Sequence, residues 1–421
     1  MKQTMDARRV DAVILHGNLT GLLTGAALSA AGLSVVIPDA AATNITGSDT
    51  WAAIQWSPQL FRIAEASGPA PAAAYAAALS EQLHALTSAP LPYIRTTDAY
   101  IHAMTEAEVP MLERQAALMT QMGIPARTAA DAGGCPFPVR TSLVIPRQAL
   151  IDISAWMAAL RASILRQGGH CSPETAGTPT SRRRTEASRR IHTAPYPPAL
   201  LQRTSLLQLE HRRAFCCTLQ GDYPLHNIHQ TVSGDLLLYP AKNGITAWMD
   251  TGTVGGRLCG LHQDVLHQRM PDWHIGPVQL LQATYAADGL PLIGALPESR
   301  MLAAYGIGRQ DALGCMHAAA ILSRLLLGQA LPEDARYAPD RQLPQHIVRR
   351  IYRQQALHRL WDAWHPGAPR CTFCRRHLRW QPILQRWECA LCGSAFSAIG
   401  NVLAGPATQP APINLRQRPD I

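Results

Sequence analysis

Four cysteines near the carboxyl end have the spacing of a metal site: Cys371-Thr-Phe-Cys374, a basic stretch containing Trp380 and Trp387, then Cys389-Ala-Leu-Cys392-Gly-Ser. Two CxxC pairs at this separation present four thiolates tetrahedrally to one metal. Four of the ten cysteines fall in this window, and random placement rarely pairs them twice with the same gap. An all-thiolate set favours structural Zn, a rubredoxin-like single iron, or a four-cysteine two-iron two-sulfur cluster. His377 lies close enough to Cys374 to replace one thiol, but a solvated place in a basic run is the expectation for it.

A second constellation opens the chain. Val10 to Leu15 and Leu33 to Ile37 read as strands flanking a helical stretch from Leu19 to Ala31, with Asp39 ending the second strand. That order is the first βαβ of a dinucleotide-binding fold. Its chemistry needs small residues at the turn, so that backbone N–H groups approach a pyrophosphate at a helix N-terminus, and an acid to accept ribose hydroxyls. The turn is His16-Gly17-Asn18-Leu19-Thr20-Gly21. Set against G-x-G-x-x-G, only Gly21 is in place, while His16 and Asn18 stand where the first two glycines belong. Gly17 supplies flexibility and Asn tolerates positive φ. The turn alone leaves two readings open, a dinucleotide cradle or a βαβ unit that holds nothing.

The 421 residues suffice for one large domain plus an appendage, and 47% hydrophobic with 16% charged residues excludes wholesale disorder. The net charge of +9 permits attraction to nucleic acid, anionic lipid or an acidic redox partner, and chooses none. Arg8 and Arg9 before an apolar start imitate a signal peptide, but the strand–helix–strand reading weighs against secretion. No apolar run reaches the roughly 20 residues of a membrane span, and metal-ligand cysteines suit a reducing compartment, so the expected location is the cytoplasm. Cys135, Cys171, Cys216, Cys217, Cys259 and Cys315 lack motif spacing and are expected to be structural. Arginines from Arg349 to Arg386, interleaved with Trp361, Trp364, Trp380 and Trp387, would suit a single-strand or RNA-binding module, although a solvated surface is the stronger expectation.

Taken together, these stretches resemble FAD-dependent oxidoreductases of the glycine/D-amino-acid oxidase type that carry a carboxyl-terminal Rieske domain. The matching segments run in order: Val10 to Asp39, Gly47-Ser-Asp-Thr50, helical Pro58 to Leu86, Asp98-Ala-Tyr100, Gly123-Ile-Pro125, Arg166-Gln-Gly168-Gly169, His192 to Pro197, Asp288 to Gly294, Ala304-Tyr305-Gly306-Ile-Gly308, and Pro339-Asp-Arg341. Near the end Cys371-Thr372, Trp380, Trp387, Cys389, Gly393-Ser394, Phe396, Gly400-Asn-Val402 and Gly405-Pro406-Ala407 are similar to a Rieske cluster segment. The ligand set departs from it, because the family pattern places histidines where this chain has Phe373 and Cys392, and Cys374 is an added thiol.

The resemblance implies an α/β (α+β) chain: a Rossmann-like FAD domain with an oxidase-type substrate domain over 1–345, a basic helical linker over 346–366, and a truncated Rieske-like or zinc-ribbon-like β module over 367–421. It implies FAD held by His16, Gly17, Asn18, Gly21, Asp39, Gly47, Ser48, Thr50, Gly306 and Gly308, with the metal on Cys371, Cys374, Cys389 and Cys392. The implied activity is oxidation of a small amine, with electrons passing to FAD and then to iron and an electron-transfer partner. The alternative is an inactive descendant, a zinc-stapled scaffold that binds a protein or nucleic acid. Cys171 to Arg190, rich in Ser, Thr, Pro and Arg, reads as a loop that costs the flavin domain a strand. Tyr196, Tyr239, Tyr285, Tyr305, Arg309 and Trp273 are plausible pocket liners, and no catalytic residue is assigned.

Overall fold

The computed structural model describes residues 10–38, 50–52, 57–172, 187–194, 196, 208–221, 224–241, 244–256, 266–267, 269–297, 299, 301–308 and 311–414. Asp39, Gly47, Ser48, Cys259 and Arg309 lie outside them.

Alternating apolar residues make Val10–Ile14 a buried strand, and it pairs in parallel with Val35–Pro38 on one side and Ala187–His192 on the other. The helix between the first two strands, Leu19–Ala30, buries eight of its residues against them and against the later helix Ala312–Leu327. The sheet runs Leu292–Ala295, Met301–Tyr305, Ala187–His192, Val10–Ile14, Val35–Pro38, His170–Ser172. This corrects the expected loop at Cys171 to Arg190: both ends of that stretch are strands in register with the sheet. Polar composition hid them, because pairing in the sheet overrides weak local propensity.

A second sheet holds eleven strands among the described residues, with Leu209–Gln220, Gly244–Thr253 and Leu236–Ala241 forming its antiparallel centre and Ile94–Ala103 paired to Thr141–Ile151 farther along. The helical stretch expected from Pro58 to Leu86 is two helices, Ser57–Ser67 and Pro69–Ser88. Gly68, at φ 91°, breaks them apart, and Pro69 starts the second where its missing N–H costs nothing. Asp288 and Arg341, from two of the matching segments, form a buried bidentate pair at 2.7 and 2.9 Å, with Arg341 also donating to the Leu290 and Pro291 carbonyls. These segments therefore close the domain on itself.

The helix Gln345–Trp364 packs Ile347 and Ile351 on Ala66 and leads to four short antiparallel strands, Arg379–Gln381, Arg386–Glu388, Ala395–Ser397 and Val402–Ala404. No strands precede Cys371 beyond that helix, as the chain length required. The small sheet is joined to the large one by buried charge. Glu388, fully buried, takes Arg213 from the strand Leu209–Gln220 at 2.9 Å, Arg386 at 2.8 Å and the Gly255 N–H at 2.7 Å. Arg213 and Gln381 both donate to the Gly256 carbonyl, and Arg379 donates to that of Gly255.

Removing one partner of a buried ion pair strands the others, at a cost of about 3–5 kcal/mol. Glu388→Gln is therefore expected to lower the unfolding free energy by that amount in chemical denaturation. A loss within about 0.5 kcal/mol, as for an ordinary surface change, would show that the carboxylate does not hold the two sheets together.

Candidate functional site

Each CxxC pair sits in a tight knuckle. In the first, Arg375 donates its N–H to the Cys371 carbonyl and Cys371 to that of Arg376, and the bridge Arg370 to His377 closes the loop. In the second, Gly393 donates to Cys389 and Cys389 to Ser394. Both knuckles turn through a left-handed residue after the second cysteine, Arg375 at φ 66° and Gly393 at φ 75°. Gly suits that position, whereas Arg375 holds it under strain.

The four sulfurs converge. Cys371 Sγ lies 3.6 Å from Cys392 Sγ and Cys374 Sγ 3.3 Å from Cys389 Sγ, and all four lie within 4.8 Å of one another. All four cysteines are buried. The other three thiols stabilise a thiolate on Cys371 and hold its pKa down, while burial and neighbouring sulfur push Cys389 and Cys392 up. Four thiolates held this close repel one another unless a cation sits among them. Cys392 Sγ also meets Ser394 Oγ at 3.1 Å. His377 is neither ligand nor solvated: it is buried, with Nδ1 against the Asp362 carbonyl.

At the opening turn, Asn18 caps the helix Leu19–Ala30. Its Oδ1 accepts the Gly21 N–H at 2.9 Å and its Nδ2 donates to the Thr193 carbonyl at 2.5 Å. Gly21 is required by its surroundings, since a Cβ there would fall 2.0 Å from the His16 carbonyl oxygen. Gly25, passed over in the sequence, has a similar duty: a Cβ would meet Ile37 at 2.6 Å, so it lets helix and strand approach. The His16 ring packs edge-on to His192, with Nε2 3.3 Å from His192 Nδ1, and burial lowers its pKa to about 3.

The helix Ala312–Leu327 is capped in the same way. Asp311 accepts from the Leu313 and Gly314 N–H groups, and burial raises its carboxyl to about 6. Burial also pushes the Cys315 thiol up to about 12, the reverse of the lowered pKa of a reactive cysteine. Gly306 and Gly308 have φ 71° and 86°, and a Cβ on Gly308 would strike the Tyr285 ring at 2.4 Å. Thr50 pairs with Ile151 at the edge of the large sheet. Among the described residues the cofactor candidates therefore fall in three places, the turn, Gly306 with Gly308, and Thr50 at the sheet edge, and the first two are in close contact with the chain's own atoms.

The expected pocket liners mostly lie elsewhere. Tyr239 and Tyr305 are core residues, whereas Trp273 does line a cleft of about 760 Å³ with Tyr93, Arg95, Asp152 and His226. No residue of the turn borders that cleft. Three arginines of the basic segment are engaged, Arg376 with Asp362, Arg386 with Glu388 and Arg379 over Trp361, whereas Arg349, Arg350, Arg353, Arg359, Arg370 and Arg375 are exposed. No helix among the described residues is long and apolar enough to cross a membrane.

No protein-family model matches the sequence, and no curated protein does. Solved structures match in fold. Iminodiacetate oxidase from Chelativorans sp. BNC1 is 14% identical with a TM-score of 0.60, covering 78% of this chain and 98% of its own. Glycine oxidase from Geobacillus kaustophilus is 17% identical with a TM-score of 0.59, covering 80% and 100%. Fructosyl peptide oxidase from E. terrenum is 13% identical with a TM-score of 0.61, covering 81% and 94%. The chain has the glycine oxidase fold. The fold expected from the resemblance is thus present, whereas the carboxyl-terminal ligand set is four thiols and lacks the two histidines of a Rieske centre.

Two outcomes check this site. Cys392→Ser is expected to release the metal and expose the chain after Gly367 to protease, and unchanged metal content would refute the ligand assignment. Asp311 carries a folded pKa above its ordinary value, so its stabilising effect is complete below about pH 4 and is lost as pH rises through about 6. Asp311→Asn, which keeps a capping side chain, should therefore exceed the parent in stability at pH 7.5 by up to about 3 kcal/mol and approach it at pH 4. A difference independent of pH contradicts the buried carboxylate.

Proposed function

We propose that this chain is an FAD-dependent oxidoreductase acting on a small amine, with a single metal ion in its four-thiolate module. The supporting observation for the oxidoreductase is the fold, since the oxidases that share it are named for iminodiacetate, glycine and fructosyl peptides, all of which carry an amine. A single ion is favoured over a two-iron cluster because such a cluster spreads its terminal sulfurs over two irons, wider than the 4.8 Å within which these four lie.

The residues of the turn suit FAD at a penalty. A pyrophosphate at the helix N-terminus competes with the Asn18 carboxamide for the Gly21 N–H. Loss of a cap costs about 1 kcal/mol and loss of the bond to Thr193 about 1 more, which together weaken binding roughly 30-fold. That is a handicap and not a block. Gly17, Gly21 and the helix N-terminus would hold the pyrophosphate, Asp39 the ribose, and the Gly306–Gly308 strand would face the ring. FAD, when bound, supplies the hydride chemistry. The protein's own part is to orient the amine and exclude water, and the neutral His16 and His192 add no charge to that region.

Electron transfer to the module is supported by a continuous set of contacts. The His211 ring packs on Gly393, where a Cβ would meet it at 2.8 Å, and His211 Nδ1 lies 3.1 Å from Thr284 Oγ1. Thr284 in turn pairs with Gly308. The knuckle is thereby three contacts from the strand expected beside the flavin. Iron would make this a redox path, and zinc a staple.

The second reading, an inactive descendant whose zinc-stapled scaffold binds a partner, is favoured by the two helix N-termini that the chain caps with Asn18 and Asp311. The visible spectrum and metal content of the purified protein separate the two. Flavin bands, bleached by a small amine, together with one iron per chain are expected, and Asn18→Gly should raise flavin occupancy. A colourless protein with one zinc, unchanged by Asn18→Gly and by added FAD, overturns the oxidoreductase.

A further inference from the structure

Cys135 has no motif spacing, yet the fold carries it to two buried histidines. His102 lies on Ile94–Ala103 and His229 on the parallel neighbour Ile228–Thr231, where Tyr100 pairs with His229 and His102 with Thr231. Alternation along the strand puts Tyr100 and His102 on one face. The three rings stack there, His229 on Tyr100 at 5.4 Å and on His102 at 5.2 Å. His102 Nδ1 meets Ser142 Oγ at 2.9 Å, and its Nε2 lies 2.9 Å from His229 Nδ1.

A loop brings the sulfur over this pair. Gly133 and Gly134 take φ 59° and 79°, and Gly133 passes so close to Tyr100 that a Cβ would sit 2.2 Å from the ring. The loop is tied down by Asp131, which accepts the Gly133 N–H, and by Asn227, which donates to the Gly133 carbonyl. Cys135 Sγ and one nitrogen from each histidine end within 4.8 Å of one another. The Phe137 backbone N–H is directed at the sulfur, the kind of support a bound thiolate receives.

A packing role leaves part of this chemistry unanswered. One proton satisfies the contact between the two rings, but His229 Nε2 remains buried with no hydrogen-bond partner among the described residues, which ordinarily costs about 1–3 kcal/mol. Burial keeps both imidazoles neutral, so each has one lone pair; His229 Nε2 has it free when Nδ1–H donates to His102, and His102 gives up that contact to offer its Nε2. The same burial raises the thiol to about 12 in the absence of a positive charge. Imidazole and thiolate together select soft or borderline ions over Mg²⁺ or Ca²⁺.

We propose that His102, Cys135 and His229 form a second metal site that takes a thiophilic ion, Cu⁺ or Zn²⁺, in a His₂Cys set. Binding forms two metal–nitrogen bonds and one metal–sulfur bond, with the thiol proton released to solvent and no change of oxidation state. One thiolate balances Cu⁺ fully and leaves Zn²⁺ with one uncompensated charge in an apolar surround of Tyr100 and Phe137. This site is independent of the knuckles and of the flavin reading.

The test counts ions on the full-length protein whose four-cysteine site is already loaded with Zn²⁺. Anaerobic titration with Cu⁺, and separately with Zn²⁺, followed by desalting and elemental analysis, should give one additional ion per chain in at least one arm, with about one proton released. Cu⁺ alone retained assigns the neutral site, and Zn²⁺ retained assigns the charged one. The additional ion should be absent from Cys135→Ser and from His229→Gln. No additional ion on the parent protein overturns the proposal without recourse to any variant, and so does an additional ion that both variants retain.

Discussion

A carboxylate with no access to water has to be answered by cations that are equally dry, and Glu388 is answered from two directions at once. Arg213 reaches it from the centre of the large sheet and Arg386 from its own small one, with the Gly255 N–H completing the set. Burial lowers the pKa of Arg213 and the neighbouring Glu388 opposes that shift, so the Arg213 guanidinium depends on its carboxylate partner. The next residue along is Cys389, one of the four converging cysteines. The position of the cysteine quartet and the integrity of the large sheet are therefore tied to one buried charge cluster.

Buried polar groups are likewise answered at two helix ends, Leu19–Ala30 and Ala312–Leu327. Asn18 and Asp311 satisfy backbone N–H groups that in a nucleotide cradle point outward at phosphate or ring oxygen. Asn18 stabilises the free chain at any pH, whereas the Asp311 cap does so only while its carboxyl is protonated, below about pH 6. Gly21, Gly25 and the Asp288–Arg341 pair hold the architecture around them.

Local pattern made part of this readable in advance. The knuckles, the strand–helix–strand opening and the helix before Cys371 are set by neighbours in sequence, and the structure has them within a residue or two of the expected bounds. What the pattern missed depends on contacts between distant segments. Glu388 and Arg213 are 175 positions apart, and His102 and His229 are 127 apart. Cys135 looked like an ordinary buried thiol because nothing near it in sequence binds metal. The strand His170–Ser172 escaped notice because Ser, Thr and Arg dominate its flank, and its register comes from Val35–Pro38. His377 was expected in water and is instead folded under the helix that carries Asp362.

Joined through Glu388, the cysteine module and the large sheet should fold and unfold as one unit. Hydrogen exchange at the amides of Leu209–Gln220, measured by mass spectrometry before and after a chelator strips the knuckles, tests it directly. Loss of protection in that strand together with the module is the expected result. A module that loses protection while the strand keeps its own would contradict the coupling.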